Sequence, residues 1–578
     1  MSEPHRVVIA RMSSDLAAIS AYMNRVYADL DALGRMLDQP PAPVPAPLTT
    51  PTVPVPVPAA RPERSEGWIG KALAVAGVTV TLTGVVLLLV LAAQAGVLRP
   101  EVRVAAGAVL AAGLVAAGWW LYRRPGGRVG AIALAATGVA AAYMDVIAVT
   151  TIYGWVSAPA GLTLAVAIGG GGLMLARRWN SEQLGLLVLV PLVVLAPVVT
   201  DGVTLLLIGF MLALSAATLP LQFGRDWLWL YAARVAAPTL PLLIALAAAS
   251  IDGRHDLVVA MTCGLAAVVA LAGGVVVLRW TTRPSATAIL TAGGVLPVLA
   301  VGAAVDRVIA ALLVAALAAA LVAIVALGDR LPGVVVAVRA VWSVLAAVAA
   351  LIAVLVAFDG PVAGPVLLAM AAVVAVGGRH QGVARPIAVG LAAVGGVVYL
   401  QYAAPDILLH GTKMSAGLAV SVLIGSVIAV LAAAAISWAW SVDGADQEVV
   451  RLVWMVGAVT AGYAVTAFTV TAGVLIGGTG AGFFGGHMVA TICWIAVAAG
   501  LLGYAARRPR AERSLPIGGG MALVTAAMAK LLLFDLGTLD GMFRVAVFIV
   551  VGLALLGMGA GYARLLNQQD QVAGKQST

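Results

Sequence analysis

Charged residues are scarce in this 578-residue chain: they form 10% of the sequence, against 62% hydrophobic residues and a mean hydropathy of +1.07. A water-soluble domain carries about 25% charged residues, which cover its surface. No soluble fold could bury this much apolar surface, so most of the chain must lie in a lipid bilayer. The composition therefore predicts an all-α, polytopic transmembrane helix bundle.

Cysteine and lysine are scarce as well. Cys263 and Cys493 both fall inside apolar runs, where neither a disulfide framework nor a cysteine metal site fits. The net charge of +9 comes from 30 arginines and only 4 lysines, and no basic cluster with interleaved aromatics indicates nucleic-acid binding. The sequence also lacks a nucleotide-binding loop, a zinc-protease helix and a nucleophile elbow. No cofactor, metal or nucleic-acid partner is therefore predicted.

Apolar runs of transmembrane length follow one another from Trp68 to about Leu566. A transmembrane helix needs roughly 20 apolar residues, within a range of about 17 to 25. Cutting the chain at charges, prolines and glycine clusters predicts about eighteen spans, or sixteen to seventeen if the weakest runs, 183–200 and 362–377, do not span. The predicted spans are 72–93, 104–122, 129–150, 157–176, 183–200, 203–222, 231–250, 257–278, 285–305, 308–328, 340–358, 362–377, 386–402, 415–440, 452–476, 488–506, 515–536 and 544–566.

Basic residues alternate between successive loops. Short cytoplasmic loops carry an excess of Lys and Arg. With the N-terminus inside, the inner loops hold eighteen arginines, with Arg234 counted among them, and the outer loops hold six basic residues: Arg99, Arg103, Arg254, Arg307, Lys413 and Arg544. The bias stays in phase to the end of the chain. We therefore predict a multi-pass protein of the bacterial inner membrane with both termini cytoplasmic, its inner arginines facing anionic membrane lipids.

The first 67 residues are not part of the membrane domain. Residues 1–39 are predicted to form a cytoplasmic helix, because apolar residues recur there at spacings of three and four, as in a coiled coil: Ile9, Met12, Leu16, Ile19, Met23, Val26, Leu30, Leu33 and Leu37. Self-association or a cytoplasmic partner is expected through residues 5–38, and the alternative is an amphipathic helix on the membrane surface. Residues 40–67 are predicted to be a Pro-rich disordered linker, acting as an extended spacer or as a docking ligand.

Particular segments of the membrane domain, 68–566, resemble a known family. They are Trp68-Ile69-Gly70-Lys71 with the run that follows, AAAYMDVIAVTTIYGW at 140–155, and AKLLLFDLGTLDGMFRVAVFIVVGLALLGMGAGYARL at 529–565. The last has a Lys, then Phe-Asp-Leu, then an Arg that opens a final helix. The chain is thus similar to the bacterial membrane family called domain of unknown function 2339. The resemblance implies a many-spanning membrane protein with an N-terminal coiled coil, and no particular reaction. Residues 567–578 are predicted to be a disordered cytoplasmic tail.

A few polar residues at bilayer depth are the candidates for a functional site, because polar groups are costly there. Asp145 lies in the third predicted span and Lys530 in the seventeenth, and a pair of opposite charge could form a step in a proton or anion path. The alternative is that both reach toward the interface. The nearest carboxylates to Lys530 by depth are Asp145, Asp535 and Asp540. The substrate-path candidates are Asp145, Lys530, Asp535, Asp540, Arg544 and His487.

The outer loops contain weaker candidates. Two groups mix His with Asp but lack a standard metal-ligand spacing, namely Asp252, Arg254, His255 and Asp256, and Asp406, His410 and Lys413. The glycine-rich loop that ends at His487 lacks the Lys-Ser/Thr of a phosphate-binding loop and is read as a re-entrant or closely packed turn.

Three functions remain open from the sequence. The best-supported hypothesis is transport or translocation, or scaffolding, in cell-envelope biogenesis. The alternative is a membrane-embedded transferase acting on a polyprenyl-linked donor at the outer face, for which Glu101, Asp252 and Asp256 are the acidic candidates in outer loops.

Overall fold

The computed structural model describes residues 99–253, 255–442, 446–507, 514–535, 541–542, 544–557 and 560. Every regular element within these ranges is helical, which confirms the predicted all-α membrane fold. The predicted N-terminal helix, the linker, the first span and the C-terminal tail lie outside the described residues. The predictions for those segments therefore stay predictions.

Nineteen α-helices form the described part of the chain. The first nine are α1 Pro100–Tyr122, α2 Arg128–Ile147, α3 Ala158–Arg178, α4 Glu182–Val199, α5 Leu205–Ala217, α6 Leu228–Asp252, α7 Leu257–Val277, α8 Pro284–Gly294 and α9 Leu296–Leu299. The others are α10 Arg307–Ala326, α11 Val336–Ala357, α12 Ala363–Gly377, α13 Ala384–Tyr402, α14 Pro405–Leu409, α15 Ala416–Ser441, α16 Gln447–Gly477, α17 Phe483–Ala506, α18 Ser514–Lys530 and α19 Arg544–Gly557.

Three π-helices interrupt or extend these α-helices within the described ranges. They are Ala148–Ile152, after α2, Gly478–Gly482, between α16 and α17, and Leu531–Asp535, after α18. Each lies next to a polar residue that the sequence marked as a candidate. Short π segments inside α-helices are rare and occur frequently at functional sites.

Thirteen helical stretches of the described chain are long and apolar enough to cross a membrane. The last, Gln447–Ala505, contains α16, a π-helix and α17, while two further apolar helices, Ile517–Leu533 and Arg544–Gly557, are shorter. The helix positions agree with most predicted spans to within a few residues. The exact count of eighteen is not confirmed and remains a prediction.

The predicted span 285–305 is broken rather than continuous. It consists of α8, α9 and a 3₁₀ turn at Val301–Ala303. Pro297 follows two glycines, lacks a backbone donor, and its ring would clash with the carbonyl of Gly293 in a continuous helix. The sequence predicted one continuous span there because the segment is apolar on average, and an average hides the effect of one proline and two glycines.

Helices that are close in sequence pack together. The buried apolar clusters succeed one another along the chain, from residues 131–237 and 208–353 through 354–439 and 368–464 to 495–551. Alanine and glycine are frequent in these cores, and small residues let membrane helices approach closely. The helices that pack against α17 are thus its neighbours in sequence, α16 and α18.

Contacts between loops follow the predicted alternation of sides. On the side predicted to be inner, Arg128 donates to the carbonyls of Trp179 and Asn180, and Asp226 accepts from Thr281 and Thr282. On the other side, the amide of Asp256 donates to the carbonyl of Ala304 at 2.7 Å, and Arg307 pairs with Asp359. These bonds join only loops that the charge pattern assigns to one side.

Aromatic residues and arginines meet on the predicted inner side. Tyr122 stacks on Trp179 with ring centroids 4.4 Å apart, and the Arg124 guanidinium lies 3.6 Å from the Trp120 ring centre. Tryptophan and tyrosine favour the membrane–water interface, where an amphipathic ring can contact both phases. This side of the bundle therefore has the composition of an interfacial belt.

Candidate functional site

The candidate site depends on a close crossing of α16 and α17. Two Gly-x-x-x-Gly pairs face each other at this crossing. One is Gly473 and Gly477 on α16, and the other is Gly482, at the end of the π-helix, with Gly486 on α17. A Cβ on Gly486 would lie 2.7 Å from the carbonyl oxygen of Thr469, and one on Gly473 would collide with the carbonyl of Gly482. Only glycine lets two membrane helices approach backbone to backbone in this way.

A π-helix at the end of α18 gives the site its second half. Lys530 is the last residue of α18, and Asp535 ends the π-helix that follows. On an α-helix with 3.6 residues per turn, side chains five apart point about 140° away from each other. The i→i+5 hydrogen bonding of a π-helix instead stacks such residues on adjacent turns. The π segment therefore aligns two side chains that an α-helix would separate.

Lys530 is paired and hydrogen-bonded inside the bundle. Its Nζ lies 2.7 Å from Oδ1 of Asp535 and donates to Oγ1 of Thr491 at 2.7 Å and to the main-chain carbonyl of His487 at 3.2 Å. An ammonium group has three N–H donors, so these three bonds match its full capacity. The Lys530 side chain is 12% exposed and that of Asp535 is 0% exposed.

Asp535 is bonded through both carboxylate oxygens. Oδ1 accepts from Lys530, and Oδ2 accepts from the Thr491 hydroxyl at 2.7 Å. Removing two charges from water costs several kcal/mol per ion, and a pair recovers this only with good geometry and satisfied hydrogen bonds. We name Lys530, Asp535, Thr491 and the His487 carbonyl the Lys530 cluster; it carries no net charge.

The predicted outer loop between α13 and α15 contacts the segment that leads to His487. The His487 ring is 2% exposed, packs edge-to-face on Phe483 with centroids 4.6 Å apart, and lies close to the Leu408 backbone. A Cβ on Gly411 would lie 2.6 Å from the carbonyl of Thr479, within the π-helix at the start of α17. The loop 403–415 thus packs against the start of α17, near the Lys530 cluster.

The structure brings some of the sequence candidates together and separates others. Lys530, Asp535 and His487 meet, whereas no hydrogen bond or ion pair in the described chain joins Asp145 to Lys530. Asp145 lies on α2, which packs mainly against α1, α3 and α4. The partner of Lys530 is Asp535. Side chains five residues apart point away from each other on an α-helix, but the π-helix brings these two together. Asp540 lies outside the described residues, and Arg544 begins α19 with its side chain exposed.

The acidic and histidine residues of the outer loops have local roles. Asp256 caps α7 by accepting from the amides of Val258 and Val259, and His255 lies 3.8 Å from Asp306. His410 Nδ1 lies 3.0 Å from Asp406 Oδ1 on an exposed turn. The described residues contain no group of three or more metal-ligating side chains. Glu101 lies in the first turn of α1.

Two buried polar residues were missed by the sequence reasoning. Thr491 lies one helical turn after His487, and that i,i+4 spacing on an apolar helix is the signal that could have found it. Arg234, counted as a loop residue, instead lies within α6 and is 1% exposed. It donates to the Ser215 carbonyl at 3.3 Å and lies over the Tyr231 ring. Its place among the inner-loop arginines was therefore wrong.

An apolar groove lies apart from the Lys530 cluster. It has a volume of about 670 Å³, runs between α12 and α15, and is lined almost wholly by aliphatic side chains such as Val366, Val373 and Ile424. It contains no charged group. Charge chemistry in the described chain is thus better placed at the Lys530 cluster.

The contacts within the Lys530 cluster depend on its charges and on the helix type of residues 531–535. It holds an acid and a base within one hydrogen-bonded network, and a proton reaching Asp535 would remove the attraction that holds Lys530. A change of residues 531–535 from π-helical to α-helical hydrogen bonding would separate the side chains of Lys530 and Asp535. Either change would remove the Lys530–Asp535 ion pair from the cluster.

Comparison with known sequences identifies a family. The family described as a predicted membrane protein, DUF2339, matches residues 70–383 and 362–565. These regions cover most of the chain and confirm the resemblance noted in its sequence. No curated protein and no solved structure matches the chain.

Proposed function

The chain belongs to the DUF2339 family of predicted membrane proteins, and we propose that it transports or translocates a substrate across the bacterial inner membrane. The Lys530 cluster is the proposed gate of the path. The observation that carries the proposal is the fully hydrogen-bonded Lys530–Asp535 pair beside a π-helix. The cell envelope is the proposed setting, with an envelope precursor as the cargo.

Charge cost supports a functional role for the pair. A charged side chain at the centre of a membrane helix costs roughly 2.5–3.5 kcal/mol on insertion scales. An apolar pair of similar volume at these positions would avoid this cost, and replacing buried ion pairs in that way is often neutral or stabilising. A pair buried in this way is therefore better explained by a role that needs charge than by stability.

The π-helix supports a gate with two states. A conformational switch needs an element that packs in two discrete ways. The segment 531–535 can follow π or α hydrogen bonding, and only the π pattern aligns Asp535 with Lys530. Opening would therefore separate the ammonium group from Asp535.

Thr491 gives the sharpest test of this gate. Thr491→Val keeps the shape of the side chain but removes the hydroxyl that bonds both members of the pair. With expression adjusted to equal abundance in membranes, we expect a loss of growth rescue in a deletion strain under cell-envelope stress, because each lost bond to a charged group weakens the closed cluster by about 1.5–3 kcal/mol. Thr491→Ser should restore rescue. Full rescue by Thr491→Val would contradict the proposed gate.

A matched control for that test lies on α18. The exposed Thr525 bonds only to the Met521 carbonyl of its own helix among the hydrogen bonds described. Thr525→Val should leave both abundance and rescue unchanged.

The proposed orientation has both termini in the cytoplasm. Two observations support this orientation. Arginines are frequent in every second loop, and the loop contacts described above join only loops that this pattern assigns to the same side of the membrane. Reporter fusions after Arg128, Arg283 and Arg513 should report the cytoplasm, and fusions after Asp252 and Lys413 the outside. An inverted signal at any one of these positions would break the span model at that point.

A scaffold function is the second candidate, and the heptad pattern of residues 5–38 favours it. In this case the full-length protein associates with itself, or with a cytoplasmic partner, through that helix. We expect Ile19→Asp with Leu30→Asp to abolish crosslinking of the full-length protein in cells, because both changes place charge in the apolar seam. The control Ser20→Asp changes a position beside the seam and should crosslink normally. Unchanged crosslinking in the double variant would rule out association through this helix.

A further inference from the structure

Asp145 has no hydrogen-bond partner for one of its buried oxygens. It lies on α2 three residues before the π-helix Ala148–Ile152, and its Oδ2 is buried and unbonded within the described chain. The side chain is only partly buried as a whole. The other carboxylate of the predicted path, Asp535, differs in having both oxygens bonded.

A glycine on the neighbouring helix makes room for the Asp145 carboxyl group. A Cβ on Gly107 of α1 would collide with Oδ1 of Asp145 and lie 2.7 Å from Oδ2. The carboxyl group therefore packs directly on the α1 backbone, where main-chain amides are already used within the helix. The site offers space for the group without offering a donor.

The charged groups on the packed helices do not neutralise Asp145. On α1, Arg103 and Glu101 lie one to two turns nearer the predicted outer end than Gly107, and no ion pair joins either of them to Asp145 in the described ranges. The charged residues of α3 and the Glu182 of α4 lie at the opposite ends of those helices. Asp201 lies just beyond α4, and as an acid it cannot neutralise the negative charge of Asp145.

The hydroxyl groups close to Asp145 in sequence, and that of Thr200 at the predicted outer end of α4, bond to other acceptors. Tyr143 donates to the carbonyl of Val188 at 3.2 Å, and Thr150 donates to the carbonyl of Val146 at 2.6 Å. Thr200, at the end of α4, donates to the carbonyl of Ala196. An ionised carboxylate here would lack both a counter-charge and a sufficient set of donors.

We propose that Asp145 is a proton-binding site: it holds a proton as a neutral carboxylic acid in the predicted outer half of the membrane domain. A bound proton removes the charge, and so removes the cost of an unpaired anion in this surrounding. The site is independent of the Lys530 cluster, where Lys530 does the neutralising.

A hydrophobic carbodiimide distinguishes the two carboxyl groups. The reagent adds to a protonated carboxyl: the proton goes to one nitrogen, the carboxylate oxygen bonds to the central carbon, and the acyl group then shifts to nitrogen with nothing leaving. Native membranes that contain the full-length protein are treated with dicyclohexylcarbodiimide, and the modified residues are located by peptide mass spectrometry.

We expect the label at Asp145 and not at Asp535. The Asp145 label should fall as the pH is raised, by about tenfold for each pH unit once the group loses its proton. It should be absent from Asp145→Asn. Lys530→Met should bring Asp535 into the labelled set, which shows that the reagent reaches the outer halves of these helices.

Matched glycine variants test the geometry. Gly107→Ala displaces the carboxyl group and should change the labelling of Asp145 several-fold, whereas Gly113→Ala on the same helix meets no atom within 4 Å and should not. An unlabelled Asp145 in membranes where Lys530→Met exposes Asp535 to labelling would overturn the proposal. Labelling of Asp145 that does not change with pH would overturn it as well.

Discussion

Lys530→Met is expected to lower the amount of folded protein in membranes, and the double change Lys530→Met with Asp535→Asn to restore it. The single change leaves Asp535, which is 0% exposed, without its counter-charge. Removing one partner of a buried ion pair typically costs about 3–5 kcal/mol, whereas removing both is often close to neutral. Quantitative immunoblotting of membrane fractions, with thermal aggregation of the solubilised protein, measures this effect.

The control for this prediction is a lysine in a predicted outer loop. Lys413 is exposed, so Lys413→Met should leave abundance unchanged. A normal amount of thermally stable Lys530→Met protein would contradict the buried pair.

Gly486→Val is expected to be strongly damaging at the crossing of α16 and α17. Even a Cβ at this position would lie 2.7 Å from the Thr469 carbonyl and 2.7 Å from the Cα of Val470, and neither backbone atom can rotate away. Overpacking in a well-packed core costs about 1–3 kcal/mol and occasionally more. Because α17 carries the His487 carbonyl and Thr491, its displacement should also weaken the bonds to Lys530.

Gly500→Ala provides the comparison on the same helix, since a Cβ there meets nothing within 4 Å. We expect Gly486→Val to lose most of its folded protein and Gly500→Ala to behave as the unchanged chain. Equal abundance of the two variants would show that the close crossing does not determine the position of α17.

The membrane fold could be predicted from sequence because it follows from the length and spacing of apolar runs. The bounds of α10, α11 and α15 differ from their predicted spans by at most a few residues. The broken segment of α8 and α9 was missed because mean apolarity is insensitive to a single Pro297 after two glycines. Arg234 was misplaced for a related reason: a charge near a span end was read as a boundary, although glycine at 273 leaves room for its guanidinium inside the bundle.

The candidate site could be predicted only in part. Lys530, Asp535 and His487 were chosen as candidates because polar groups are rare in apolar runs. The structure brings these three residues together. Their arrangement could not be derived, because it depends on a π-helix whose sequence, LLLFD, is as compatible with an α-helix. Thr491 was missed because a single threonine in a membrane helix usually bonds to its own backbone. Here it bonds to Asp535 as well.

The most direct test of the proposed gate is growth rescue by the protein that carries both Lys530→Met and Asp535→Asn. The deletion strain is grown under cell-envelope stress, with expression adjusted so that the variant and the unchanged protein are present in equal amounts. A charge-dependent gate predicts a variant that folds and accumulates yet gives no rescue. Full rescue at equal abundance would contradict it, since the charges could then be removed together without loss of function.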